Sequence, residues 1–140
     1  IPQSEVPYYY AMSDIVVVPS LQEAFGLVVA EAMASGKPVI GSNVGGIPEM
    51  IEHQVNGYLS RCKDSQSLAE GIKWILEDED RALKLRNAAR KKAMEEYSIE
   101  MQAKRYKRLY EEVNLGQNTP IPATARVKDT PKELPNRADE

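Results

Sequence analysis

The chain is poor in the residues that most often build chemistry. Its 140 residues contain one cysteine, Cys62, and one histidine, His53. A single cysteine excludes an internal disulfide, and with one histidine beside it no Cys/His zinc site can be assembled. Charge of one sign is lacking too. The 18 basic side chains against 21 acidic ones give a net charge of −3, which leaves no basic stripe to grip a phosphate backbone and argues against nucleic-acid binding. No apolar run approaches the ~18 residues needed to span a bilayer, and no signal peptide opens the chain. These absences point to a cytoplasmic domain from a reducing compartment. At this length, 42% apolar content is enough to fill one core.

The two ends differ in character. The chain opens without Met on Ile1-Pro2-Gln3-Ser4 and passes through an aromatic segment, Tyr8-Tyr9-Tyr10-Ala11-Met12, into a strand pattern, so it reads as a piece of something longer. From Asn114 to Glu140 there is no aromatic residue, four of the nine prolines (Pro120, Pro122, Pro131, Pro135) gather, and the charges cancel. Such a segment buries too little apolar surface to offset its ordering entropy. The expected division is a folded part over residues 1–113 and a disordered tail over 114–140.

Within the folded part, Asp14 to Val18 is a β-branched run closed by Pro19-Ser20 and apolar on both faces, as a central parallel strand would be. Ala24 to Ser35 reads as a helix apolar nearly all round, hence buried, stopped by Gly36 and Pro38. Val39-Ile40-Gly41 is a second strand, Gly45-Gly46 a turn into a short helix near Pro48, and Tyr58-Leu59 a third strand after the Asn56-Gly57 turn. Ser67-Leu68-Ala69-Glu70 has capping-box spacing before a helix carrying Leu68, Ile72, Ile75 and Leu76 on one face. A charged helix follows, from about Asp80 to Glu96, with a thin stripe at Leu85, Ala89 and Ala93. Ser98 can cap a last helix striped by Ile99, Ala103, Tyr106, Tyr110 and Val113. Strands alternating with helices imply an α/β fold with a Rossmann-like parallel sheet. Three strands make it thin, and at least one further strand–helix unit is expected upstream of Ile1.

In an open parallel sheet, ligands bind beyond the carboxyl ends of the strands. Two segments occupy that edge: Pro19 to Gly26 and Gly41 to Pro48. The first leads into the apolar helix, whose free N–H groups, at about Ala24 to Leu27, and dipole suit an anion such as a phosphate. Gly26 would let the anion approach closely. Glu23 stands at the mouth and Glu31 eight positions on, ~12 Å along a continuous helix. That exceeds the ~5–9.5 Å of a carboxylic-acid pair acting on one bond. The two could instead touch opposite ends of one elongated ligand. Glu31, flanked by Ala30, Ala32 and Met33, needs hydrogen-bond donors if buried. A ribose diol would supply them, a structural arginine would do so equally, and an exposed face would remove the need.

The stretch from Pro19 to Val39 resembles the donor-site segment of retaining GT-B glycosyltransferases of group 1 (family 4, glycogen-synthase-like), in which it reads PS-x-x-E-x-FG-x-x-x-x-E-A-x-A-x-G-x-PV. The likeness continues through Gly45-Gly46-Ile47-Pro48-Glu49, Asn56-Gly57-Tyr58-Leu59 and Tyr97-Ser98, and so covers about residues 4–113. It implies the C-terminal half of a GT-B enzyme that transfers a sugar from a nucleotide-sugar (a UDP-, GDP- or ADP-sugar as substrate) with retention of configuration. Glu31 is then the ribose-binding glutamate, and Glu23 the catalytic-site glutamate near the donor sugar. Phe25, Gly26, Leu27 and Val28 are donor-binding through their backbone, with Ser20, Gly45 and Gly46 lining the pocket. The main catalytic demand is stabilising the departing diphosphate. No metal and no cofactor are implied.

The family also carries an N-terminal acceptor domain with a histidine near the reacting carbon, and an Arg/Lys pair against the diphosphate. Both are expected upstream of Ile1, and His53 substitutes for neither. By itself the chain is therefore expected to transfer no sugar and to bind the donor weakly. A non-catalytic nucleotide-sugar-binding module and another GT-B activity, a sugar phosphorylase or an epimerase, are the alternatives. Among the remaining residues, His53 is expected exposed in a loop, Cys62 inert and partly buried, Trp74 at the core edge rather than stacked on sugar, and Tyr8-Tyr9-Tyr10 packed on the sheet. The basic clusters Arg86, Arg90, Lys91, Lys92 and Lys104, Arg105, Lys107, Arg108 are interrupted by acids. They read as a solvated face, with peripheral contact at the inner face of a membrane left open.

Overall fold

The computed structural model describes residues 1–114. The segment expected to be a disordered tail lies outside the described residues, save Asn114, which closes the last helix.

A 3-10 turn at Gln3–Glu5 leads into α1 (Val6–Met12), so the aromatic segment is helical, with Pro7 near its start. There follow β1 (Val16–Val18), α2 (Leu27–Ala34), β2 (Val39–Ser42), α3 (Ile47–Met50), β3 (Tyr58–Ser60), α4 (Ser65–Leu76), α5 (Glu79–Glu96) and α6 (Ile99–Asn114). The three strands form one parallel sheet in the order β1-β2-β3, with Val16 opposite Val39 and Ile40 opposite Tyr58.

Alternation along β2 divides the core. Val39 joins one apolar cluster with Val29, Ala32 and Met33 of α2, Ile47 and Met50 of α3, Leu59 of β3, and Ala89 and Ala93 of α5. Ile40 points into the other, with Ile75 of α4 and Leu85 of α5. The stripe Leu85-Ala89-Ala93 is buried as its spacing predicts, and α5 reaches both clusters. Trp74 packs at the edge of the second cluster, 5.7 Å from the Tyr58 ring and with the Arg81 guanidinium 4.4 Å from its own ring centre.

Five expectations need correction. β1 lies at an edge of the described sheet and β2 in its centre, because burial on both faces says nothing about which strands pair on either side. The helix expected from Ala24 begins at Leu27, because Gly26 takes a left-handed backbone (φ 101°) that α-helix cannot include. That helix is not buried all round either, since Leu27 is 63% and Val28 47% exposed at its start. α4 is capped by Asp64, whose carboxylate accepts the Ser67 N–H at 2.9 Å. The hydroxyl of Ser67, expected to cap, instead accepts the Arg61 N–H. Ser98 caps α6 as expected, through the Met101 N–H, and the Ile99, Tyr106, Tyr110, Val113 stripe of that helix faces outward, Ile99 being 82% exposed. At the N-terminal side, Tyr8 and Tyr9 are exposed and only Tyr10 packs on the core.

Candidate functional site at the carboxyl edge of the sheet

Two loops meet beyond the carboxyl ends of β1 and β2. The first, residues 19–26, begins where Pro19 ends β1. The second, residues 43–46, begins where β2 ends at Ser42, and is tied to β3 by the Asn43 N–H donating to the Ser60 carbonyl at 2.9 Å. The loops clasp each other through backbone: the Gly46 N–H donates to the Glu23 carbonyl at 3.1 Å. Glycine is required at both positions of this contact. A Cβ on Gly45 (φ +53°) would lie 1.7 Å from the Glu23 oxygen, and one on Gly46 would lie 2.5 Å from the Phe25 oxygen. Sequence reading assigned these glycines to turning and to lining a pocket; the close approach of two backbones is the further constraint. Leu21, Gln22, Glu23, Ala24, Val44 and Gly45 line a hollow of about 490 Å³ at this junction.

Glu23 is half-buried, and its carboxylate accepts the Gly26 N–H at 3.1 Å. That bond shifts the expected anion site. The Gly26 N–H is engaged, and the first helical bond of α2 runs from the Ala30 N–H to the Gly26 carbonyl at 3.1 Å. The N–H groups of Leu27, Val28 and Val29 are the ones left without an intrahelical acceptor, rather than those from Ala24 onward. Gly26 is needed for its left-handed φ and not for space, since a Cβ there would meet only ordinary contacts, the nearest 3.5 Å away at the Met50 sulfur. No side chain caps this helix. Because Glu23 precedes the helix, the ~12 Å spacing from Glu31, derived from helical rise, does not describe the pair.

Glu31 is half-buried in α2, and its partner is neither an arginine nor bulk solvent alone: the Tyr10 hydroxyl of α1 donates to its Oε2 at 3.0 Å. Burial first, and then the carboxylate it donates to, push the Tyr10 phenol up to about 12. Ser20 is half-buried after β1. Phe25 is 45% exposed, its ring edge-on to Tyr97 at 6.2 Å. Phe25 and Leu27 form one wall of a second hollow of about 500 Å³, closed by Tyr97, Arg105, Tyr106 and Leu109. Glu23, Gly26, Phe25, Leu27, Val28, Gly45 and Gly46 thus gather at one edge of the sheet, with Glu31 further along α2.

Residues 1–92 match the family model described as glycosyl transferases group 1. The chain belongs to that family. It is 39% identical over 111 residues to the N-acetyl-alpha-D-glucosaminyl L-malate synthase of Bacillus anthracis, which covers 79% of this chain and 29% of that protein. Among solved structures it is similar to sucrose-phosphate synthase from Thermosynechococcus elongatus, with a TM-score of 0.77 and 34% identity over 83% of this chain and 29% of that one. It is also similar to Anabaena HepE in complex with UDP-glucose, with a TM-score of 0.71 and 32% identity over 76% of this chain and 30% of that one. The chain thus spans under a third of the length of each. The parallel α/β sheet is that of the C-terminal part of GT-B glycosyltransferases.

Within this group 1 chain, several residues outside the edge have structural partners. His53, expected exposed, is half-buried against Tyr58 (4.5 Å), and its Nδ1 accepts the Leu59 N–H at 3.1 Å. Burial holds its pKa below the ordinary 6.5, which keeps the ring neutral and Nδ1 an acceptor. The basic face is not simply solvated: Arg90 donates to the Ala34 carbonyl at the end of α2, and Lys92 to the Glu49 carbonyl in α3, each at 2.9 Å. Among the described residues, no group of three or more His, Cys, Asp or Glu converges, and no helix is long and apolar enough to cross a membrane. Sequence reading missed Tyr10 as the partner of Glu31. Lying 21 positions away in another helix, it offers no spacing signal.

Proposed function

We propose that this chain supplies the donor-binding half of a glycosyltransferase that moves a sugar from a nucleotide-sugar to an acceptor with retention of configuration. The observation that carries the reading is the open start of α2. Three consecutive N–H groups lack intrahelical acceptors at the carboxyl edge of a parallel sheet, between one glutamate in the preceding loop and another further along the helix. A dianionic diphosphate matches those donors and the helix dipole. The similarity to HepE, a protein solved with UDP-glucose, supports the same ligand class.

In this reading the N–H groups of Leu27 and Val28 face the diphosphate and stabilise it as it leaves. Glu31 binds the ribose hydroxyls, and Glu23, steadied by the Gly26 N–H, faces the donor sugar and the positive charge that develops on it. Phe25, Gly26 and Ser20 complete the wall, and Gly45 and Gly46 hold the second loop against the first. The acceptor and the remaining diphosphate contacts come from another domain, so the chain alone binds donor weakly and transfers nothing. The reaction belongs on the cytoplasmic side, with lipid-linked acceptors at the inner face of a membrane compatible with it.

Ligand-observed NMR on the chain with UDP, GDP, ADP and their sugars tests this. A nucleoside diphosphate is expected to bind, inorganic phosphate alone is not, and Glu31→Ala is expected to abolish binding. Unchanged affinity in Glu31→Ala would refute the ribose assignment, and sugar transfer by the isolated chain would refute the division of labour.

A further inference from the structure

Glu31 sits in a helix whose neighbouring positions, Val29, Ala32 and Met33, are fully buried, and a carboxylate in such a place adopts a defined direction only if something polar holds it. The holder comes from outside the motif that contains Glu31. The Tyr10 hydroxyl donates to Oε2 at 3.0 Å, and among the described residues no other side chain bonds this carboxylate. Tyr10 is itself fixed at three points. Its ring packs against the cluster formed by α2, its carbonyl accepts the Ser13 hydroxyl at 2.9 Å, and the next carbonyl, Ala11, accepts the Lys37 ammonium at 2.9 Å. Lys37 stands just beyond α2, so the C-terminal part of α1 is tied to α2 and to the residues that follow it.

We propose that Tyr10 is a positioning residue for Glu31: its hydroxyl occupies one of the carboxylate's acceptor sites and holds the group so that the remaining sites meet a ribose diol. An ionised carboxylate has about four lone-pair sites, and a single donor leaves enough for both hydroxyls of a diol. The phenol is neutral over the whole physiological range, so it acts as a fixed donor and never as a competing charge. The proposal rests on the ribose assignment of Glu31 made above.

The test measures UDP, GDP and ADP, each against its 2′-deoxy analogue, by ligand-observed NMR on the full chain and on Tyr10→Phe, Glu31→Ala and the double variant. Tyr10→Phe keeps the ring and removes only the donor. It is expected to weaken ribonucleotide binding about three- to tenfold, the range of one hydrogen bond, and to weaken the 2′-deoxy analogue, which keeps one of the two hydroxyls, by less, so that discrimination between the two narrows. The double variant should be no weaker than Glu31→Ala. Equal weakening of both nucleotides in Tyr10→Phe would mean a general packing role and would overturn the proposal, as would unchanged binding. If the unsubstituted chain shows no preference for the ribonucleotide, or Glu31→Ala binds as well as the parent, the site reading itself fails and this inference goes with it.

Discussion

Helices α4 and α5 begin differently from α2. Each of the first two opens on an aspartate whose carboxylate accepts the N–H three residues on, Asp64 from Ser67 and Asp78 from Arg81, both at 2.9 Å. Each aspartate is also paired with an arginine, Asp64 with Arg61 at 2.8 Å and Asp78 with Arg81 at 3.2 Å. α2 opens on Gly26, left-handed, with no side-chain cap. In α4 and α5 a side chain of the helix's own start thus satisfies one first-turn donor, at a gain of about 1 kcal/mol per cap. The helix that meets the carboxyl edge forgoes that gain and leaves its first donors without a side-chain partner. The same structural position, the start of a helix, is thus treated in two ways by the choice of one residue.

The largest test of this contrast is Gly45→Ala. With a Cβ aimed 1.7 Å from the Glu23 oxygen and φ at +53°, the loop that shapes the open start cannot survive unchanged, and a loss of about 3 kcal/mol or more is expected in urea unfolding. Gly36→Ala is the control: it is left-handed too (φ +67°), but its Cβ would meet only the Arg90 side chain at 3.7 Å, so about 1–2 kcal/mol is expected. Equal losses would mean that the clasp between the loops does not hold them.

Next in size is Gly26→Asp, which places at α2 the residue type that caps α4 and α5. Because the backbone here is left-handed rather than extended, the carboxylate cannot cap, and the change should cost about 1–2 kcal/mol instead of stabilising. Nucleoside diphosphate binding should fall by about tenfold or more from repulsion at the open donors. A more stable protein with intact binding would erase the distinction drawn between the helices. Asp78→Ala is expected to cost about 1 kcal/mol in thermal or urea unfolding and to leave nucleotide binding unchanged, which sharpens the contrast from the other side.

The smallest effect is a pH dependence. The Ser67 N–H, and then Arg61, hold the Asp64 carboxyl below its ordinary value of 3.8. A lowered pKa in the folded state stabilises the fold above the unfolded value and ceases to do so as pH falls through the folded one. The stability difference between the parent and Asp64→Asn should therefore be constant above about pH 4 and shrink below it. A difference that does not change on acidification would show that Asp64 caps α4 no better ionised than neutral.

Much of this arrangement is legible in the chain itself. The buried stripe of α5 follows from Leu85, Ala89 and Ala93, and the stop after α2 from Gly36, whose φ is +67°. The Pro19 to Val39 stretch resembles a donor site closely enough to suggest the family, and the comparison bears that out. The misreadings share a cause. The start of α2, the cap of α4 and the partner of His53 all depend on which backbone group lies within hydrogen-bond reach. A short-range pattern of apolar and polar residues carries that information only when the partner is a few positions away. Glu23 to Gly26 is such a case in principle, but helix propensity around Ala24 and Phe25 reads through it. Tyr10 to Glu31 spans two helices and has no local signature.

From sequence alone come the alternation of strands and helices, the parallel sheet, and the placing of Glu23, Gly26 and the two loop glycines at one edge, because periodicity and breakers act over a few residues. Tertiary structure alone decides that the Gly45-Gly46 turn must clasp the Glu23 carbonyl, that the open donors begin at Leu27, and that a phenol from α1 holds Glu31. Each of those depends on distances between segments brought together only when the sheet and its helices close around one core.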